Sequence, residues 1–309
     1  MKNYFKFNLT GGKLLPIWLL FLVFYIVPYI LFFFKMKNIQ PGDGSIYLVF
    51  PLMFLIVLIY FIFTFYFAKL TLENLVYKEK TIVFNGKFWN FFGTVLLGLF
   101  LSVITLGIYL AWFIRNIQRF FVDNSAYNSN NLKFLGKGGR LFVILLLTIM
   151  VPVLILSIVT AKYIITDPNQ VKSSAVILQV FIIVLMIPYM YLVYKWMVNV
   201  SYRDFTISWQ TNFWSSCGKI AIEMVLTVIT VGIYLPLAMV RLSKYFLERT
   251  IATNGESNQK FGYDIDQLND FLFIWGQILL SIISLSIYFP WAYCKISGRI
   301  LSKTYLEKI

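Results

Sequence analysis

The sequence predicts an all-α fold, a polytopic transmembrane helix bundle of about seven spans with interfacial amphipathic helices and internal repeats. Three observations predict it. The composition is 60% hydrophobic and 13% charged, against roughly 45–50% apolar and about 25% charged in a soluble domain. Apolar runs of about 20 residues, the length that crosses a bilayer as a helix, recur along the whole chain. One aromatic motif returns three times, each time at the end of such a run.

In order, the runs fall at 14–34, 46–68, 91–111, 141–163, 174–194, 214–236 and 271–291. Backbone groups in lipid must be satisfied within the segment, so continuous runs read as helices. They do not alternate apolar with polar residues, so they do not read as strands of a membrane β-barrel. The first is too long for the core of a cleavable signal peptide, and no small-residue cleavage site follows it. Pro28, Pro51, Pro152 and Pro188 lie inside the runs or near their ends. Each removes one helical hydrogen bond, for packing geometry or for a broken helix that lines a site. Residues 1–80 form an N-terminal two-span region and 81–309 a repeat region of about five spans.

The net charge is +14, and the basic residues are scattered between the runs. That pattern points to anionic lipid headgroups as partner and away from nucleic acid. Lys and Arg divide almost evenly between the two faces of a seven-span model, so the positive-inside rule is silent. Either a motif segment re-enters the membrane instead of crossing, or the second and third copies are inverted. Histidine is absent and there are two cysteines, Cys217 and Cys294, so no metal cluster or disulfide framework is expected. No P-loop, nucleophile elbow or dinucleotide fingerprint occurs; the expectation is a protein without enzymatic chemistry or cofactor. Asp264, Asp266 and Asp270 lack calcium-loop spacing and read as a solvated loop.

The motif reads SVITLGIYLAW at Ser102–Trp112, TVITVGIYLPL at Thr227–Leu237 and SIISLSIYFPW at Ser281–Trp291. The first two agree at seven of eleven positions. Gly107 and Gly232 allow a bend or a close approach. Tyr109, Tyr234 and Tyr288 suit a ring half in lipid with its hydroxyl in water. Pro236 and Pro290 limit helix continuation and re-aim the chain along the surface. Basic residues follow each copy at helical spacing: Arg115 and Arg119; Arg241, Lys244 and Arg249; Lys295 and Arg299. They read as headgroup-binding faces of amphipathic helices. The turn is an interfacial anchor or a substrate contact. Aromatic leaders such as IVFNGKFWNFF from Ile82 and LKFLGKGGRLF from Leu132 read as brief extended segments or turns.

Glu223, Gln179 and Gln277 are the candidate intramembrane polar groups. A carboxylate at a helix centre costs about 2.5–3.5 kcal/mol to insert. Glu223 is therefore either a functional site or the i,i+4 partner of Lys219. The glutamines suit interhelical hydrogen bonds.

The (T/S)(L/V)GIY(L/F)PW-like motif with trailing Arg or Lys resembles the bacterial YjgN-like family of inner-membrane proteins, domain of unknown function 898. The resemblance spans roughly residues 80–309 and is carried best by Ile104–Trp112 and Ile283–Trp291. The chain departs from the pattern at Leu237 in place of Trp, Ala111 in place of Pro and Ser286 in place of Gly. The resemblance implies a multi-pass protein of the bacterial inner membrane and supplies no catalytic residues. Small-solute transport is the leading expectation. A structural or lipid-interacting envelope role is the alternative, and association with further copies stays open.

Overall fold

The computed structural model describes residues 2–37, 46–166, 171–255 and 257–308. Its elements follow one order: a strand, a helical hairpin, a strand. The first unit is β1 (Asn3–Phe7), α1 (Gly11–Phe21), α2 (Val27–Lys37), α3 (Ile46–Glu73) and β2 (Leu75–Tyr77). The second is β3 (Lys80–Phe84), α4 (Phe88–Ile104), α5 (Leu110–Asp123) and β4 (Ser125–Tyr127). The third is β5 (Asn130–Phe134), α6 (Gly138–Leu145), α7 (Val151–Thr166), α8 (Val171–Met197) and β6 (Val200–Tyr202). The fourth is β7 (Phe205–Trp209), α9 (Phe213–Ile229), α10 (Leu235–Leu247) and β8 (Thr250–Thr253). The fifth is β9 (Asn258–Tyr263), α11 (Gln267–Ile283), α12 (Phe289–Ser302) and β10 (Thr304–Lys308).

The strands correct the all-α expectation. They close into one antiparallel barrel in the order β1-β10-β9-β8-β7-β6-β5-β4-β3-β2. None lies in an apolar run; they occupy the short stretches between runs, and β3 and β5 end within the aromatic leaders that start at Ile82 and Leu132. The N-terminal strand pairs on one side with β2 and on the other with β10, so residues from both ends of the chain share one sheet. Closure leaves no exposed strand edge. In an antiparallel barrel all odd-numbered strands run the same way, and every odd-numbered strand leads into helices. All five hairpins therefore leave from one rim, and the short β-turns occupy the other.

The seven-span expectation is corrected to four helices, among the described residues, long and apolar enough to cross a membrane: Gly11–Phe34, Pro51–Glu73, Gly138–Lys162 and Leu178–Met197. They build the first and third hairpins. Pro28 and Pro152 each follow a π-helical turn, Leu22–Ile26 and Leu146–Met150, which holds the carbonyl four residues back that proline cannot bond. The other three expected spans break at the motif. α4, α9 and α11 each stop after 17 residues, about 25 Å, and the chain returns.

The break has a backbone cause. Gly107 N–H bonds Ser102 O at 2.7 Å and Leu106 N–H bonds Val103 O at 3.1 Å, the paired bonds of a Schellman helix end. Gly232 and Ser286 close the same pattern onto Thr227 and Ser281. The hydroxyls of Thr105, Thr230 and Ser284 then accept from the N–H groups of Tyr109, Tyr234 and Tyr288, which starts the returning helix. Pro236 and Pro290 sit buried in the first turn of α10 and α12, where proline starts a helix. The residue before each closing position is left-handed and apolar: Leu106, Val231 and Leu285, with φ near +50°. These are among the most exposed side chains, at 92%, 91% and 85%.

Neighbouring hairpins dock through the motif tryptophans. Trp112 lies against Gly138 at the start of α6, and Trp291 lies against Gly11 at the start of α1. Any side chain at either glycine would collide with the indole. The second contact joins the last unit to the first, so the helices close a ring in the same cyclic order as the strands. Where the motif has Leu237, the residue opposite at the start of α11 is Gln267, and a cavity of about 380 Å³ opens between them.

Candidate functional site

Two places concentrate polar chemistry: the tyrosines of the short hairpins and the interior of the barrel. In the fourth unit Glu223 is 1% exposed on α9. Lys219 Nζ lies 2.5 Å from its Oε1, and the Tyr234 hydroxyl donates to its Oε2 at 2.8 Å. Arg241 donates to the Tyr234 hydroxyl at 2.7 Å and to Gln267 Oε1 of the next unit at 3.0 Å. The fifth unit repeats the geometry with weaker charges. Tyr288 donates to Gln277 Oε1 at 3.1 Å and receives from Lys295 at 2.8 Å. In the second unit Asn116 donates to Tyr109 at 3.4 Å, and the acceptor position holds Gly98, against which Phe113 packs.

The motif tyrosine thus sits eleven residues after an acceptor and seven before a donor in both the fourth and fifth units. That pair of offsets could have been read from the aligned copies and was missed. Its effect is to tie each outgoing helix to its return helix with satisfied polar atoms, the condition for placing a carboxylate among apolar side chains. Gln179 lies apart, exposed on α8.

The structure gives the residues expected to bind headgroups intramolecular partners. Arg115 donates to Gly136 O, Arg119 pairs with Asp123 and Lys244 with Glu248. Arg249 donates to Tyr245 O and lies over the Tyr245 ring. Arg299 pairs with Asp270. Asp270 corrects the solvated-loop reading, because it belongs to α11 and is fully buried. Its Oδ1 accepts from Arg299 and from Lys303, both at 2.6 Å. Burial opposes its ionisation, but the bonds from Lys303 and Arg299 prevail and hold the carboxyl below the usual carboxylate range. Asp264 accepts from Lys2 and Tyr4, and these bonds lower it likewise. Both carboxylates fasten the chain termini to the barrel rim.

The barrel encloses a cavity of about 410 Å³. Phe261, Phe5, Tyr77, Tyr127 and Tyr202 line it as a connected arc, each ring 4.8–6.1 Å from the next. Tyr127 donates to Tyr77 O and Tyr202 to Tyr127 O. Lys78, Asn128, Arg203 and Gln259 complete the polar lining. A second cavity of about 400 Å³, between α3 and α5, shares Ile82 and Leu132 with the first. Ile82 and Leu132 therefore stand between the barrel interior and the space among the helices. None of the motif-turn residues lines it.

No curated protein and no solved structure matches the chain. A family model described as "Bacterial protein of unknown function (DUF898)" matches residues 79–265. That stretch starts at the second unit, contains the second to fourth units whole and includes two of the three motif copies. Because it covers more than half of the sequence, the chain belongs to the bacterial DUF898 family.

Proposed function

We propose that this chain is a multi-pass protein of the bacterial inner membrane that passes a small solute along the axis of its barrel, without enzymatic chemistry. The observation that carries this reading is the pair Ile82 and Leu132, which lines both the barrel cavity and the cavity between α3 and α5. Placement in the bilayer is supported by the hairpins. The 28 residues of α3 reach about 42 Å, beyond the roughly 30 Å hydrocarbon layer, whereas the 17 of α4 do not. At the hairpin bases Trp89 and Trp214 are 75% and 80% exposed, near exposed Lys13, Lys87, Lys137 and Arg140. Aromatic and basic side chains at that level suit the headgroup layer. They are freer to meet anionic lipid than the partnered residues of the return helices. On this reading the two long hairpins cross, and the three short ones dip in from the barrel side and return.

The test is solute flux in proteoliposomes, comparing the native chain with Leu132→Trp, which fills the junction between the cavities. Flux of at least one small solute, blocked by Leu132→Trp, is expected. Absence of flux across a broad panel, or flux indifferent to the substitution, would count against passage. That result would favour the second reading, a lipid-interacting envelope protein without transport, which draws on the exposed apolar hairpin tips. Glu223 belongs to neither route, since both its oxygens are engaged.

A further inference from the structure

We infer that the barrel interior is a binding site for a small organic anion with a flat apolar body, an aromatic carboxylate being the simplest member of the class. The inference deepens the proposed passage and rests on it for its biological meaning, but the site is defined by its own chemistry.

Three neighbouring β-turns build one arc of the rim: Tyr77-Lys78-Glu79-Lys80, Tyr127-Asn128-Ser129-Asn130 and Tyr202-Arg203-Asp204-Phe205. In each, the residue after the tyrosine is left-handed, with φ of 46°, 50° and 51°. Asparagine adopts that region readily, whereas lysine and arginine do so at a cost of about 1 kcal/mol. Those first positions, Lys78, Asn128 and Arg203, line the cavity; the carboxylates that follow, Glu79 and Asp204, do not. Among the described residues neither Lys78 nor Arg203 has an ion-pair partner, and no carboxylate lines the space.

The remaining polar groups also present donors. The Asn128 carbonyl is taken by Lys80 Nζ at 2.6 Å, leaving its amide hydrogens. Tyr127 and Tyr202 give their hydroxyl hydrogens to backbone carbonyls, so ring surface is what they offer the interior. Cations and amides at the mouth over aromatic walls select a negative head and a flat body. The volume of about 410 Å³ is that of a small-molecule site. Lys78 and Arg203 repel a second cation, and a neutral isostere accepts hydrogen bonds here without the ion pairing that a carboxylate gains.

The test is binding to the full chain in lipid nanodiscs, read by fluorine NMR, with empty discs as the blank. The probes are 4-(trifluoromethyl)benzoate, its neutral benzamide and the cationic 4-(trifluoromethyl)benzylamine. The benzoate is expected to bind at least tenfold tighter than the other two. Lys78→Gln with Arg203→Gln should remove that preference, and Ala252→Phe, which fills the interior, should block all binding. Native near-ultraviolet circular dichroism verifies folding of each variant. Equal binding of benzoate and benzamide, no binding of benzoate, or an unchanged preference in the double variant overturns the anion site. Anion binding without flux would leave this site standing and sink passage; flux without anion preference would do the reverse.

Discussion

Replacing Asp270 by Asn removes one charge and almost no volume from a fully buried position. Its Oδ1 accepts both Arg299 and Lys303, and its Oδ2 accepts the Asp266 N–H at 3.1 Å. Hydrogen bonds to a charged group contribute about 1.5–3 kcal/mol each. The two cations keep 27% and 21% exposure and can turn towards water, so the sum must be discounted. A loss of about 3 kcal/mol follows, on the order of a hundredfold in the folded-to-unfolded ratio. The assay is unfolding of detergent-solubilised protein by dodecyl sulfate, followed by near-ultraviolet circular dichroism. The pH dependence supplies a second arm. Because the folded carboxyl titrates below its unfolded value, its stabilisation is present above about pH 4 and is lost as pH falls through the folded value. Native protein should therefore weaken in acid more steeply than Asp270→Asn. A change below about 1 kcal/mol, or identical acid profiles, would refute the reasoning.

Other outcomes follow from particular contacts. Gly98→Ala drives a Cβ into the Phe113 ring and should cost about 1–3 kcal/mol in the same unfolding assay, whereas Gly93→Ala, with open space, should be neutral or mildly stabilising. Ser286→Gly relieves a left-handed serine at φ 67° and should raise stability by about 1 kcal/mol. Leu237→Trp and Gln267→Gly together recreate the Trp-on-Gly contact of the other units. A double-mutant cycle should give a favourable coupling of about 0.5–3 kcal/mol. Cys294 is buried, so alkylation should be slow in the folded protein and become fast on unfolding.

The helical mass of the chain was legible because twenty-residue apolar runs leave few alternatives to helix. The breaks were not, because Leu106, Val231 and Leu285 continue the apolar pattern through positions where the backbone turns left-handed. Gly107, Gly232, Pro236 and Pro290 signal a bend and leave re-entry as one of two alternatives, but a lone glycine in an apolar helix also reads as a packing contact. The barrel was hidden for a different reason. Strands of three to six residues are too short to display alternation, and helical hairpins separate most partners in the chain. The turns Lys78-Glu79, Asn128-Ser129 and Arg203-Asp204 carry none of the Asn-Gly or Asp-Gly signature of a tight hairpin, and the Asn254-Gly255 pair between β8 and β9 sits in a longer loop. Glu223 was found because charge in an apolar run is conspicuous. Its hydroxyl partner Tyr234 reads in the sequence as a motif residue, and the bond to Glu223 belongs to the hairpin that brings the two helices together. Lys78 and Arg203 carry no signal in the sequence, since a cation in a polar loop is ordinary until a closed sheet sets it at the mouth of a cavity.

The central claim is that the three short hairpins enter the bilayer from the barrel side and turn back inside it. Single cysteines at 106, 231 and 285, in a chain whose Cys217 and Cys294 are replaced by Ala, carry an environment-sensitive fluorophore in lipid vesicles. Lipids brominated at defined depths should quench all three tips strongly, and an impermeant thiol reagent should reach none of them from either side. Labelling of the tips by that reagent from the face opposite the barrel would make the segments crossing spans and contradict the account.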